Sequence, residues 1–577
     1  MATIKLPFNN NTTRPNVSIV SSTDSLSGNA SDTEKDLMLV GSADGGVPGE
    51  VYEFNSYAQA KTALRGGDLL SAIELAFNPT DDGISASTIY AVRVGNAKQA
   101  SFVSNGLTVT SQQYMDDANK IQVLLRTNSL TSSYDFQVAF QNDNYNATYS
   151  NLGNLFSLTY DGSLAYASVT VSKDATSGKA TNLTLKAGAD EGSAVLAGSF
   201  DLGAGKYTTV GSLLSDINQI AGFHATYAVG ISKSAVQTAY IDALAETALS
   251  STAVTVTSLG GDLLNVVGQR DSQISIAYDP SKGEPEVFPL TFLSGGTDGD
   301  VPTSWSDEIS SLQTSPGYYL VPLSDDSAIH AEAVAFANDR TRNGNPTRVI
   351  IGGGTNETIT QAVTRRAQLK DSRALLVASS GSRLMNNGTT QSLPAYMIAV
   401  MVAGIASGID VGAAVFNHYL DLVDVDQKFT SDELDLLDEQ GVVAVEYVRN
   451  RSAYVFRVTD DVTTYGYNQN DSSSDPVLGL QSAGEAADYF SVGLREMFES
   501  TFLGQRISTG AAAELKTATI AYLTTEQSLG IIEDFDESDI SVTVQGANAI
   551  IQVDIVPTLV MRKIQVNVNY QYETLTA

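Results

Sequence analysis

Gly352-Gly353-Gly354 lies between an apolar strand-like run and a helical segment. Backbone amides in that context can cradle a phosphate at a helix N-terminus. A P-loop then needs Gly-Lys-Ser/Thr, and here Thr355-Asn356-Glu357 follows. The dinucleotide fingerprint is also absent, so the run reads as a tight strand-to-helix turn. Asp421, Asp424 and Asp426 have the spacing of calcium ligands. An EF-hand loop opening at Asp424 would need glycine where Phe429 stands and glutamate where Asp435 stands. A solvated acidic face is the better account. His224, His330 and His418 are far apart, and none has a second histidine at ligand spacing. Each is expected at the surface or half-buried. There is no Gly-x-Ser-x-Gly elbow, and carboxylates are too abundant for any pair to stand out as acid and base. With no cysteine, thiol chemistry, disulfides and cysteine-ligated metals are excluded. The expectation is no catalytic site, no cofactor and no metal.

The elements that would have to position such groups belong to a large, acidic, globular chain. At 577 residues it exceeds one core, so several domains are expected. The apolar fraction of 42% is that of a folded protein. The net charge of −32, with no basic run, argues against nucleic acid as a direct partner. It also keeps free copies apart, so any assembly must rest on specific contacts. Residues 1–15 contain no apolar core of signal-peptide length. The most apolar stretch, Ala395 to Ile405, is too short to span a bilayer. Folding in a cytoplasm without membrane insertion is expected.

Along the chain, 1–36 reads as a polar extended arm with one alternating piece, Val17-Ser18-Ile19-Val20. Residues 37–96 read as the first part of an α/β core. It has strands at 37–41, 51–54 and 88–94, a helix at 56–64, and a second helix capped by Asp68. Residues 97–290 read as a β-rich insertion with short alternating runs at 121–125, 136–140, 168–171 and 183–185, interrupted by a helix at 213–220. Residues 291–425 resume α/β order, with strands at 317–323, 348–351 and 374–378 and helices at 328–340, 358–369 and 395–406. Residues 426–577 read as an α+β domain. A capping box at Thr430-Ser431-Asp432-Glu433 opens a helix that Gly441 ends. A strand pair, two helices and a terminal β unit at 540–544, 549–556 and 564–572 follow, with Pro557 in a connection. In the last strand Ile564, Val566, Val568, Tyr570 and Tyr572 alternate strictly with polar residues. Such a strand can pair within its own domain or be lent to a neighbour's sheet edge.

The chain resembles the tail sheath proteins of contractile-tailed bacteriophages, most closely the long subunits of large phages of Gram-positive hosts. The stretches that carry the likeness are Val51-Tyr52-Glu53-Phe54-Asn55-Ser56-Tyr57, Gly67 to Glu74, Leu293-Ser294-Gly295-Gly296-Thr297-Asp298-Gly299, Gly317 to Leu323, Pro394 to Met397, Glu446 to Arg451 and Val458 to Thr464. They span roughly 37–95 and 290–577, and 97–290 matches only loosely. The resemblance implies an α/β and α+β multidomain fold: an α/β sheath core, an inserted outward-facing β-rich region and a C-terminal α+β polymerisation domain. It implies a virion structural protein, not an enzyme, assembled in the host cytoplasm. Its partners would be copies of itself in stacked hexameric rings, the tail tube protein, and baseplate and tail terminator proteins. It implies contraction that drives the tube through the host envelope for genome ejection. The arms would donate strands between subunits through Val17, Ile19, Ile564, Val566, Val568, Tyr570 and Tyr572. One such exchange is weak, because ordering nine residues offsets most of the gain from burying five apolar side chains. Several links closing a ring are not readily undone. The rival readings are a bacteriocin-like or secretory injection sheath and, in another class, a β-rich surface adhesin.

Overall fold

The computed structural model describes residues 35–230, 232–450, 453–469, 471–507, 510–557 and 560–564. Two compact units divide the chain. One runs to Gly95 and resumes at Val301; the other is Asn96–Asp300.

The first unit is built on a six-stranded sheet. Its spatial order is Ala374–Val377, Arg348–Gly352, Tyr319–Pro322, Leu37–Gly41, Ile89–Arg93 and Val51–Phe54. All neighbours are parallel except the last pair. A parallel sheet is covered on both faces, so its strands read as unbroken apolar runs. Here successive residues serve two separate cores. Leu37, Leu39, Tyr319, Val321 and Ile350 face the buried helix Ala395–Gly408 and the helix Gly67–Phe77. Met38, Val40, Leu320, Val349 and Ile351 share a core with Ile329, Ala333 and Phe336 of the helix Ser327–Arg342. The 67–77 helix departs from expectation at its start. Its N-cap is Gly66, and Asp68 sits in the first turn. Gly67 explains the shift: at φ +85 its missing Cβ would lie 2.7 Å from the Ala43 backbone. The close approach therefore places two glycines at the cap.

The C-terminal elements form a further core. Phe490, Leu494 and Phe498 of the helix Gln481–Thr501 pack with Leu515 and Leu523 of the helix Ala511–Ser528. The capping box at Thr430 and Glu433 forms as expected, and Gly441 follows its helix at φ 68. The expected single strand at 549–556 is divided. Asn548–Gln552 pairs with Ser541–Gln545, whereas Ile555–Pro557 pairs with Ile532–Phe535. Pro557 is thus the last residue of a strand, opposite Ile532, rather than in a connection.

The second unit is antiparallel throughout its named strands. A sixteen-residue strand, Tyr145–Tyr160, is shared by much of it. This strand pairs with Ser133–Phe140 along its first part and with Phe223–Tyr227 and Val254–Ser258 along its second. Positive φ at Asn151 and Gly153 bends it between the two. One core gathers around Phe136 and Phe140, another around Phe156, Val169 and Leu185 with the helix Val210–Ile217. Inside, Lys233 binds Asp262 at 2.5 Å, and Asp262 accepts the Gly153 amide at 2.8 Å.

His330 corrects an expectation: it is fully buried. Its Nε2 donates to the Ser324 carbonyl at 2.7 Å, and its Nδ1 has no partner. Burial therefore favours the neutral ring and pushes its pKa from 6.5 down to about 4. The unfolded chain binds that proton first on acidification, so the stability is complete above pH 6.5 and lost as pH falls toward 4. Denaturant titrations of the unassembled chain across this range should show a loss of about 3 kcal/mol from this group. His330→Gln, which keeps a donor for Ser324, should remove that part of the slope.

Candidate functional site: the C-terminal sheets and the roots of the arms

The residues flagged for chemistry are used by the fold. Beyond Gly352, the Gly353 and Gly354 carbonyls accept the amides of Tyr396 and Ala395 at 3.1 and 3.2 Å. The Gly354 amide donates to the Glu357 carboxylate at 3.0 Å, and Glu357 also pairs with Arg365. A carboxylate of the chain thus occupies the position a phosphate would need. Asp421, Asp424 and Asp426 each have a partner of their own: Arg383 at 2.7 Å, Lys428 at 3.0 Å and the Ser380 hydroxyl at 2.6 Å. Among the described residues no group of three or more histidine, aspartate or glutamate side chains could hold a metal. His224 is exposed beside Asp161 at 2.9 Å, and His418 is half-buried.

The expected strand donors mostly cannot be placed. Val17, Ile19, Val566, Val568, Tyr570 and Tyr572 lie outside the described residues. Ile564 is described, is in no strand and is 76% exposed. What precedes it is informative. The ribbon Ser541–Gln545 with Asn548–Gln552 has only two strands, and among the described residues neither outer edge is paired. Val542, Val544 and Ile551 rest on the C-terminal core, while Ile550 is 58% exposed. A two-stranded ribbon is marginal alone and offers unpaired N–H and C=O groups.

A set of buried charges holds the Gln481–Thr501 helix against the start of the parallel sheet. Asp488 accepts from Arg373 at 2.7 and 3.0 Å, from Arg348 at 3.0 Å and from the Tyr318 hydroxyl at 2.9 Å. Burial alone would raise the Asp488 carboxyl, but the two arginines outweigh it and hold it below the usual range. One turn earlier, Glu485 binds Lys35 at 2.6 Å and the Tyr319 hydroxyl. Near the other chain end, Arg562 pairs with Asp460 and, at 2.8 Å, with Asp461. It lies over the rings of Phe416 and Tyr467 at 5.5 and 5.6 Å. Burial, then the neighbouring Asp438 carboxyl, push Asp460 up to about 6 against the pull of Arg562. Sequence reasoning singled out none of these residues for a role. The one available signal was the adjacent acid pair Asp460-Asp461 following an apolar strand.

Comparison with known proteins decides the family. Residues 475–571 match the model of the phage tail sheath C-terminal domain. A putative tail sheath protein of Enterococcus phage phiEF24C is 41% identical over 98% of both chains. This chain belongs to the phage tail sheath proteins. The tail sheath protein of Staphylococcus phage Twort is 36% identical, again over 98% of both chains. The solved sheath tail proteins of Desulfitobacterium hafniense and Listeria innocua share the fold at 14% identity. Their TM-scores are 0.54 and 0.50, with 94% and 92% of this chain and 100% and 96% of theirs covered. The sheath chain is thus a structural virion component with a mixed α/β and α+β multidomain fold. Among its described residues no helix is long and apolar enough to cross a membrane.

The triglycine turn yields a contrast. A Cβ on Gly352 would sit 2.3 Å from the Ala395 backbone, whereas one on Gly354 meets the Asp325 carboxylate, a mobile group, at 2.8 Å. Gly352→Ala should cost about 1–3 kcal/mol in denaturant unfolding. Gly354→Ala should fall within about 0.5 kcal/mol of the parent chain.

Proposed function

We propose that the sheath chain polymerises as stacked six-membered rings around a tail tube, in an extended, high-energy state. A baseplate signal releases it, and contraction drives the tube through the host envelope for genome ejection. No nucleotide is hydrolysed; the stored conformational energy is the source of work. The N- and C-terminal arms add strands to neighbouring C-terminal sheets, through Val17 and Ile19 at one end and Ile564, Val566, Val568, Tyr570 and Tyr572 at the other. Residues 97–290 face outward, 37–96 and 291–425 form the sheath core, and 426–577 carry polymerisation. The partners are further copies, the tube protein, the baseplate and the tail terminator. Assembly takes place in the host cytoplasm.

The observation that carries this reading is the two-stranded ribbon at 541–552, whose outer edges are unpaired among the described residues, and which a strictly alternating segment follows a dozen residues later. A ribbon whose outer edges are open among the described residues and a segment with strict strand alternation in its sequence can complement each other between copies. The curated relatives are phage proteins, which favours a phage tail over another injection device. Purified chain viewed by negative-stain electron microscopy should give hollow, cross-striated cylinders. Monomers alone, even with the tube protein added, would overturn the polymer reading.

Two deletions separate the parts. Removing Ile564 to Ala577 should leave a folded monomer that forms no tubes, as read by sedimentation and circular dichroism. Tubes from that variant would show that the join lies elsewhere. Replacing 97–290 with a short linker should spare polymerisation, and a folded core without tubes would place the insertion in the mesh.

A further inference from the structure

Lys35 and Arg562 stand 527 positions apart, yet both are tied to the same helical turn. Lys35 is buried, and its ammonium binds Glu485. Its carbonyl accepts the Ser407 hydroxyl. Arg562 binds Asp461, whose carboxylate accepts both the amide, at 3.1 Å, and the hydroxyl of Ser482. The Asp461 carbonyl also accepts the Gln481 amide at 2.8 Å. Ser482 and Glu485 are three residues apart, about 4.5 Å along the helix axis. Asp461 thus satisfies two of the amides that a helix start leaves open, that of Ser482 through its carboxylate and that of Gln481 through its carbonyl. Asp461 is fully buried, and Arg562 is its cation.

We propose that the first turn of the Gln481–Thr501 helix is the common anchorage of both chain arms. Lys35 fastens the N-terminal arm through Glu485, and Arg562 fastens the C-terminal arm through Asp460 and Asp461. This rests on the arms being the inter-subunit links. It goes further by naming where the links join the body and how load crosses it. Tension arriving through one arm leaves through the other across a single helical turn. Arg562 and Lys35 are positioning residues: they set the direction in which each arm leaves, and they do not themselves touch a neighbour's sheet.

The guanidinium engages two carboxylates and two rings at once, which a lysine cannot reproduce. The test uses the full chain with Arg562→Ala and Arg562→Lys, beside the deletion from Ile564. Melting temperature reports the fold. Amide hydrogen exchange on unassembled chain reports peptides covering 481–486 and 560–577. Tube yield against concentration reports assembly. Arg562→Ala should melt within a few degrees of the parent and exchange about 10-fold faster at 560–564 and in the first helical turn. It should need about 10-fold more protein to form tubes, with Arg562→Lys between. Unchanged exchange and unchanged tubes would overturn the anchorage. Should both variants fail to fold, Arg562 holds the core rather than the arm, which also overturns it. Tubes from the deletion variant would instead defeat the strand-donation reading, while exchange in the monomer still decides the anchorage.

Discussion

Asp488 is the point at which the first unit is closed. It lies buried between Arg348 and Arg373, each at the entry to a strand of the parallel sheet. Its neighbour Glu485 binds Tyr319 and Lys35, at the entry to the next two strands. One helix therefore lies along the starting ends of four adjacent strands, with its acids in the spatial order of their partners. Burying such charges gains little net energy, but an arginine left there without its acid is very costly. The seam acts mainly as a constraint. It fixes where the C-terminal domain sits on the core, and everything attached to that helix inherits the position.

The opposite ends of the same strands are where open α/β sheets usually bind ligands. There the helix Ala395–Gly408 begins against Gly352, Gly353 and Gly354, and Glu357 fills the space a phosphate would take. Gly352 is small so that a helix can approach, and the turn serves packing. The same holds for the acids at 421–426, each engaged by its own partner. A chain whose buried polar groups are spent on holding elements together is suited to bearing load.

Much of this was legible in sequence because it depends on local pattern. Apolar runs at 37–41, 319–322 and 348–352 announce strands covered on both faces. The capping box at Thr430 announces a helix start and forms, and a second box forms at Thr358, where a helix was expected to begin. The failures arise where distant residues decide. Tyr145–Tyr160 opens with polar residues and bends at Asn151 and Gly153, so no window of it looks like one long strand. Ile532–Phe535 is too short to show alternation, and it draws Ile555–Pro557 away from the ribbon beside it. His330 is buried by neighbours its own helix does not reveal. The charges of the seam lie up to 450 residues apart, and nothing in a lone Lys35 or Asp488 foretells its partner.

The pairing of Leu37 with Tyr319 has a consequence for how the protein is made. A ribosome releases the first strand of the central sheet long before Tyr319–Pro322, one of its two neighbours. The antiparallel unit between them is complete by Asp300 and can fold while synthesis continues. The first strand can meanwhile pair with Ile89–Arg93, but its other edge must wait. Closure of so long a loop is intrinsically slow. The helix that seals the sheet leaves the ribosome among the last elements, so a truncated translation product lacks the seal. Translation order thereby becomes a quality check: the strand entries are locked only in a chain that has been read beyond the helix Gln481–Thr501.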